Sequence, residues 1–210
     1  MSEKQKLMES KQFCVFFILL YFIVRYGMDS ILNQIHAYAS YGFEVLFIFG
    51  VTSFYYKDLK FSFKIDIYYL LQCFLACILG FGIFLCAKVF EILIPFDLSQ
   101  KETLFLLLIV GPVLEEFLFR QAFWSLFRRA LKTQKGAWIA TVLVFAFGHF
   151  FAYFFVPPEL KSFVLYQTTY AFGLGVWWGY GIYKTGAISY TISLHFLFNL
   201  GFFIASTLGH

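Results

Sequence analysis

Charged residues are scarce in this 210-residue chain: Asp, Glu, Lys and Arg together make up 13% of it, whereas 61% is hydrophobic. The mean hydropathy is +0.77. A soluble domain is about 25% charged, so the composition indicates an integral membrane protein, with residues 1–210 forming one helical domain. The net charge of +4 gives no case for nucleic-acid binding.

Signatures of several other protein classes are also missing. The four cysteines (Cys14, Cys73, Cys77 and Cys86) lie in apolar runs and form no CxxC pair, so no disulfide framework is indicated. Neither HExxH, the usual zinc-protease motif, nor GxSxG, the nucleophile elbow, occurs in the chain. The sequence therefore gives no support for acyl transfer through a serine or cysteine nucleophile.

Long hydrophobic runs are what the chain has instead. A bilayer core about 30 Å thick needs ~20 apolar residues per helix, and seven segments qualify: 12–27, 37–56, 67–95, 103–127, 136–156, 162–183 and 186–207. They predict an all-α, polytopic bundle of about seven transmembrane spans. An eighth span, or a re-entrant break in the third segment, stays open. No small-residue cleavage site follows the first segment, so we interpret it as an uncleaved anchor.

The positive charges predict how these spans are oriented. With the N-terminus in the cytoplasm, eleven lysines and arginines fall at inner ends, and only Arg25, Lys101 and Lys161 fall at outer ends. Lys88 and Arg120 fall within spans. Because an excess of positive charge marks the cytoplasmic side, we expect a cytoplasmic N-terminus and an external C-terminus.

Three polar clusters interrupt the apolar segments. They are Glu115, Glu116 and Arg120 in GPVLEEFLFR, Phe145 and His149 in FAFGH, and His195 and Asn199 in HFLFN. A charge at the centre of a bilayer costs about 2.5–3.5 kcal/mol, so these side chains are expected to face one another. Counted along their helices, the three clusters fall within one central slab of the membrane.

Helical spacing separates the roles of the two glutamates. Glu116 and Arg120 are four residues apart on one helix face and should form an ion pair. Glu115 is rotated by about 100° from Glu116 and is left as the freer carboxylate. A carboxylate of this kind can act as a general base toward water. The structural alternative is a buried ion pair whose spare carboxylate only holds helices together.

The histidines leave two kinds of chemistry open. Glu115 with His149, and His195 with Asn199, suit water activation beside an oxyanion site. Alternatively, Glu115, His149 and His195 could bind zinc and leave one position for water, so the expected cofactor is either none or zinc. Both histidines also have structural interpretations, as a satisfied core residue or as one partner of an interhelical hydrogen bond.

In this order, the motifs EExxxR, FxxxH and HxxxN resemble the CPBP family, the CAAX protease and bacteriocin-processing family of intramembrane proteases. That family includes the type II CAAX prenyl endopeptidases. The resemblance covers about residues 103–205 as a catalytic core, whereas residues 1–100 match only as generic transmembrane helices. It implies hydrolysis of a peptide bond in a membrane-associated or hydrophobic protein or peptide.

The resemblance also implies the role of each residue. Glu115 and His149 would activate the water, His195 and Asn199 would form the oxyanion site, and Glu116 and Arg120 would support Glu115 or the substrate. The family has been described both as metalloproteases and as metal-independent glutamate proteases. The amide of Asn199 favours the second description, since an amide is a poor zinc ligand.

The resemblance and the compact loops suggest a protein of the bacterial inner membrane, with the bilayer and a protein or peptide substrate as its partners. The sequence gives no oligomeric state, but the small-xxx-small pair Gly175 and Gly179 favours packing within the bundle over a dimer interface. Two other functions stay open. One is a non-catalytic scaffold or bacteriocin immunity protein on the same fold, and the other is a proton-coupled transporter with a Glu and His relay. No inverted repeat supports the transporter.

Overall fold

The computed structural model describes residues 10–36, 38–58, 60–62 and 65–208, except for the side chain of Asn33. Across these residues the chain is all-helical, as predicted, and forms eight helices without a strand. The helices are α1 (Lys11–Phe22), α2 (Asp29–Ile35), α3 (Ala39–Phe54), α4 (Ile67–Val89), α5 (101–131), α6 (Gln134–Phe151), α7 (Lys161–Thr185) and α8 (Ile188–Leu208). The two chain termini lie outside the described residues, and their predicted sides stay a prediction.

Three helices are long and apolar enough to cross a membrane: Ile67–Val89, Gln134–Phe154 and Ile188–Leu208. The apolar stretch of α8 is 56% buried and that of α4 only 17%. α8 therefore lies at the centre of the bundle, and α4 presents most of its apolar surface outward. The seven predicted spans each overlap a helix, but seven membrane crossings stay a prediction.

The predicted third span, 67–95, is too long. α4 ends at Val89 because the chain reverses there: the Ile92 N–H donates to Ala87 C=O at 2.8 Å, and the Glu91 N–H donates to Lys88 C=O at 3.1 Å. These two bonds form a Schellman motif, with Glu91 in the left-handed region at φ 53°. Lys88 consequently lies in the last turn of α4, at the end of the candidate span Ile67–Val89.

α5 is a single long helix built from alternating α and π segments. The α segments Lys101–Phe105, Gly111–Glu116 and Trp124–Leu131 are separated by the π segments Leu106–Val110 and Phe117–Phe123. A π segment bonds each N–H to the carbonyl five residues earlier, and such segments are frequent at functional sites. The two π segments flank the Glu115–Glu116 pair, so they set the direction in which both carboxylates point.

Close backbone contacts hold the C-terminal helices together. A Cβ added to Gly80 of α4 would collide with the Phe198 carbonyl of α8, and a Cβ added to Gly201 of α8 would collide with the Cys77 carbonyl of α4. The two helices therefore touch along their backbones, as small residues allow in membranes. α6 and α7 pack through side chains instead, because Gly175 leaves room for the Phe145 ring and Gly179 leaves room for the Trp138 ring. The predicted small-xxx-small pair packs within the bundle.

Aromatic rings join the N-terminal helices to α5. The Tyr21 ring of α1 lies 4.9 Å from the Phe47 ring of α3 and 4.9 Å from the Phe123 ring of α5. Each such pair contributes about 0.5–1.5 kcal/mol beyond the area it buries. This packing brings α1 and α3 against the segment of α5 that carries the two glutamates.

Candidate active site

The predicted ion pair between Glu116 and Arg120 forms across one turn of α5. Arg120 Nε lies 3.3 Å from Glu116 Oε2, and the two side chains are 0% and 1% exposed. Glu115 points elsewhere and is 33% exposed. The helical spacing therefore predicted correctly which glutamate pairs with the arginine and which is left accessible.

His195 of α8 lies between the two carboxylates. Its Nδ1 is 3.1 Å from Glu116 Oε1, and its Nε2 is 3.9 Å from Glu115 Oε2. The first distance is a hydrogen bond and assigns a proton to Nδ1, whereas the second is an electrostatic contact. Glu116 thus joins Arg120 and His195 and fixes the direction of the imidazole ring.

Asn199, one turn after His195, donates from Nδ2 to the Leu107 carbonyl at 2.7 Å. That carbonyl lacks its usual helical partners. The Gly111 N–H, four residues on, bonds to Leu106 instead, and Pro112, five residues on, has no N–H. Asn199 therefore satisfies a carbonyl that the π segment and the proline leave without a donor, and this bond fixes the amide. Its second N–H hydrogen stays available.

His149 lies at the end of α6, next to Phe145 on the same helix face. Their rings meet edge to face, with centroids 5.0 Å apart. The Arg120 guanidinium lies 5.2 Å from the centroid of the Phe145 ring. Phe145 therefore separates His149 from the buried ion pair, and this explains why a phenylalanine occupies the first position of the FxxxH pattern.

Trp178 of α7 is a residue of the site that the sequence did not single out. It is fully buried, and its ring lies 4.6 Å from the His195 ring at 36°. Its indole Nε1 has no hydrogen-bond partner among the described residues. Its place in the site could not be predicted, because the sequence does not show that His195, on another helix, lies next to it.

All four predicted catalytic residues line one cavity of about 80 Å³. Glu115 and His149 are supplied by α5 and α6, and His195 and Asn199 are supplied by α8. Aromatic and apolar side chains complete the wall (Phe96, Tyr170, Leu174, Trp178, Phe198 and Phe202). The convergence predicted from depth counting is thus present in the structure.

Glu115 and His149 also line a second cavity, of about 260 Å³, that the N-terminal helices help to form. There Arg25 donates to Glu44 at 3.0 Å and to Asp29 at 2.7 Å, and the Tyr21 hydroxyl donates to Glu44 at 3.2 Å. The sequence analysis assigned none of these residues to a site, since single charges near predicted helix ends carry no spacing pattern. Polar groups make up a larger part of the lining of the second cavity than of the first.

Metal binding was the alternative chemistry, with Glu115, His149 and His195 as ligands. No group of three His, Cys, Asp or Glu side chains in the described part of the chain is arranged to hold a metal ion. The arrangement of the described residues therefore does not fit a three-ligand zinc site.

Residues 100–201 match the family model of the type II CAAX prenyl endopeptidase Rce1-like proteins. This part of the chain is an Rce1-like domain. The resemblance drawn from the three motifs is confirmed, and the matched residues contain all six predicted site residues. No curated protein and no solved structure matches the chain at a significant level.

The family model is that of membrane-embedded CAAX endopeptidases. This match and the three apolar helices of spanning length in the described part of the chain indicate an integral membrane protein. Trp178 and Leu107 also lie inside the Rce1-like domain, whereas Arg25 and Glu44 lie outside it. The second cavity is therefore shared between the Rce1-like domain and the N-terminal helices.

Proposed function

We propose that this protein is an intramembrane endopeptidase that hydrolyses a peptide bond in a membrane-associated or hydrophobic protein or peptide. The observation that carries the proposal is the shared cavity. An accessible carboxylate and a histidine (Glu115 and His149) line it together with an imidazole and an amide (His195 and Asn199). A base and hydrogen-bond donors around one cavity are what hydrolysis of a peptide bond requires.

In the proposed reaction, Glu115 and His149 hold a water molecule next to the scissile carbonyl. Glu115 accepts one proton from the water as its oxygen bonds to the carbonyl carbon. The tetrahedral intermediate then loses its C–N bond, and the leaving nitrogen takes the proton back from Glu115. The products are a carboxylic acid and an amine, so the step consumes one water and needs no other reactant.

The oxyanion of that intermediate would accept hydrogen bonds from Asn199 and His195. Asn199 keeps one Nδ2 hydrogen free after its bond to Leu107. His195 can donate from Nε2 only as an imidazolium, because its other proton is held at Nδ1 by Glu116. With His195 in that form, the site carries two negative charges (Glu115 and Glu116) and two positive charges (Arg120 and His195). Its net charge is then zero, which lowers the cost of burying these groups.

Glu116 and Arg120 act as positioning residues in this proposal. Both are buried, and neither lines the small cavity, so they are poorly placed to touch the substrate. Arg120 keeps Glu116 ionised by supplying its counter-charge, and Glu116 in turn orients His195. Their effect on the reaction passes through His195.

The two cavities that meet at Glu115 suggest separate routes for substrate and water. The mainly apolar cavity beside His195 and Asn199 suits the scissile segment of a hydrophobic peptide. The second cavity, which Arg25, Tyr41 and Glu44 help to line, suits water that moves toward Glu115. Polar side chains can hydrogen-bond water along such a route, whereas an apolar cavity stays dry.

Orientation and location are part of the proposal. The excess of positive charge favours a cytoplasmic N-terminus in the inner membrane of a bacterium. Reporter fusions to each end of the chain test this: a reporter active only in the cytoplasm is expected to work at the N-terminus. Cytoplasmic activity at both ends would indicate an even number of spans.

The experiment that tests hydrolysis compares protein termini in membranes of cells that express the wild type, Glu115→Gln or His149→Ala. We expect new termini only with the wild type, because either change removes a group that activates water. Lys132→Gln, on an exposed lysine outside both cavities, is the control and should match the wild type. New termini of unchanged abundance in Glu115→Gln would overturn the proposed role of this site.

The family name points to the first purified substrate to try, a prenylated peptide ending in a CAAX sequence. The same peptide without its prenyl group is the matched control. Cleavage of both would indicate a broader preference for hydrophobic peptides, and cleavage of the prenylated form alone would assign the substrate class of the family name to this chain.

A further inference from the structure

A second polar site lies at the C-terminal end of α5. There the ends of α3, α5 and α7 and the starts of α6 and α8 surround a cavity of about 360 Å³. Its charged lining is strongly basic: Lys57, Lys60, Arg120, Arg128 and Lys184 against the single carboxylate of Asp58. It contains none of the four proposed catalytic residues.

The one carboxylate of this cavity is already engaged. Asp58 lies 2.6 Å from Arg128 Nη2 and 2.5 Å from Arg129 Nη1. Among the described residues, no carboxylate forms an ion pair with Lys57, Lys60 or Lys184. The cavity therefore has a net positive charge that the chain itself does not balance.

Arg120 adds a buried donor to the same cavity. Arg120 lies about two helical turns before Arg128 in α5, toward the middle of the bundle. Its side chain is 0% exposed, and its Nη1 and Nη2 atoms have no hydrogen-bond partner in the described part of the chain. Buried donors of this kind are normally satisfied, so these atoms indicate a missing acceptor.

An aromatic groove of about 410 Å³ adjoins the basic cavity. Tyr68 of α4 and Trp177 and Tyr180 of α7 form its walls, and Lys184 and Thr185 line both the groove and the cavity. Tyr68 is 76% exposed and Tyr180 45% exposed, so the groove opens outward between the two helices. Because α4 exposes mostly apolar residues, this opening faces the lipid.

We propose that the basic cavity and the groove together bind one anionic phospholipid. The phosphate lies among the lysines and approaches Arg120, and an acyl chain lies against the tyrosines and tryptophan of the groove. The shared residues Lys184 and Thr185 join a charged compartment to an apolar one, and an amphipathic ligand fits that combination. Basic pockets between membrane helices bind anionic headgroups for the same electrostatic reason.

The test titrates the purified full-length protein with phosphatidylglycerol or phosphatidylcholine in detergent micelles and measures binding by native mass spectrometry. The variant K57Q/K60Q/K184Q removes three cations of the cavity. The matched control K11Q/K132Q/K135Q removes three exposed lysines that line neither compartment. We expect phosphatidylglycerol to bind the wild type and the control alike, and to bind the cavity variant at least about tenfold more weakly.

Further measurements separate a phospholipid from a free anion. Inorganic phosphate and glycerol 3-phosphate should displace phosphatidylglycerol only at far higher concentrations, because they lack the acyl chain. Tyr68→Ser/Tyr180→Ser should weaken phosphatidylglycerol and leave glycerol 3-phosphate unchanged. Equal affinity for both lipids, an equal loss in the control variant, or displacement by phosphate at matching concentrations would overturn the proposal. Binding needs no peptidase activity, so this result is independent of the proposed reaction.

Discussion

α5 carries two ion-pair groups that use the same chemistry in different surroundings. Glu116 and Arg120 pair at 3.3 Å with side chains 1% and 0% exposed. About two turns later, Arg128 and Arg129 hold Asp58, and these three side chains are 35%, 11% and 13% exposed. The first group is almost fully buried, and the second lies at a helix end and is partly exposed.

The difference indicates what each group is for. Removing two charges from water costs several kcal/mol per ion, so a buried pair is a weak stabiliser compared with apolar residues of similar size. The Glu116 pair is therefore better explained by its effect on His195 than by stability. The Asp58 group pays a smaller desolvation cost and ties the end of α3 to the end of α5, which is a structural role.

The largest expected effect is on the buried group. Glu116→Gln leaves Arg120 charged and unpaired in the interior, and we expect the free energy of unfolding in mixed micelles to fall by about 3–5 kcal/mol. His195 loses its charged partner in the same variant, so cleavage should fall as well. Unfolding titrations and the terminus assay measure the two losses separately.

A double variant distinguishes the two roles. Glu116→Met/Arg120→Met replaces the pair with apolar side chains of similar length, and this should recover most of the stability. Cleavage should not recover, because no carboxylate orients His195. Recovery of both properties would show that the pair is only structural and would remove the contrast with the Asp58 group.

The next effect concerns Asn199, which belongs to the same buried region. Asn199→Ala removes a proposed oxyanion donor and should lower the rate of cleavage about 10²–10³-fold. It also leaves the Leu107 carbonyl unsatisfied, at a cost of about 1–3 kcal/mol in stability. Adding Pro112→Ala restores an N–H within reach of that carbonyl, so stability should rise in the double variant while the rate stays low.

Contacts of this site could be predicted from the sequence where they depend only on the spacing of residues within regular helices. Glu116 and Arg120 are neighbours in one helix, and their spacing alone predicts the ion pair. The convergence of His149 and His195 needed only helix depth and the alternation of helix direction. The family resemblance rests on the spacings within EExxxR, FxxxH and HxxxN, and these spacings do not depend on where each helix begins or ends.

Contacts that depend on irregular backbone could not be predicted from the sequence. The bond between Asn199 and Leu107 requires the π segment before Pro112, and a regular helix with 3.6 residues per turn would hide it. The end of α4 was missed because a glutamate and not a glycine occupies the left-handed position at Glu91. The proline in GPVLEE was the one visible sign that a carbonyl of α5 lacks a donor.

The partly exposed group should respond less to mutation. Asp58→Asn removes one carboxylate from two arginines, of which Arg128 is 35% exposed, and we expect a smaller loss in the free energy of unfolding than in Glu116→Gln. Cleavage should be unchanged, since Asp58 lies outside both catalytic cavities. A loss as large as that of Glu116→Gln would contradict the distinction between a buried pair and a partly exposed one.

The smallest effect is the pH dependence of the same group. Partial burial raises the pKa of Asp58, but the hydrogen bond and charge of Arg129 and the charge of Arg128 outweigh it, so the pKa lies below its ordinary value. A lowered pKa means that the unfolded chain binds the proton first as the pH falls. The contribution of Asp58 is therefore complete above about pH 5, shrinks below the unfolded pKa of about 4, and is lost below the folded pKa. The difference in unfolding free energy between wild type and Asp58→Asn should follow this curve, and a difference that grows on acidification would contradict it.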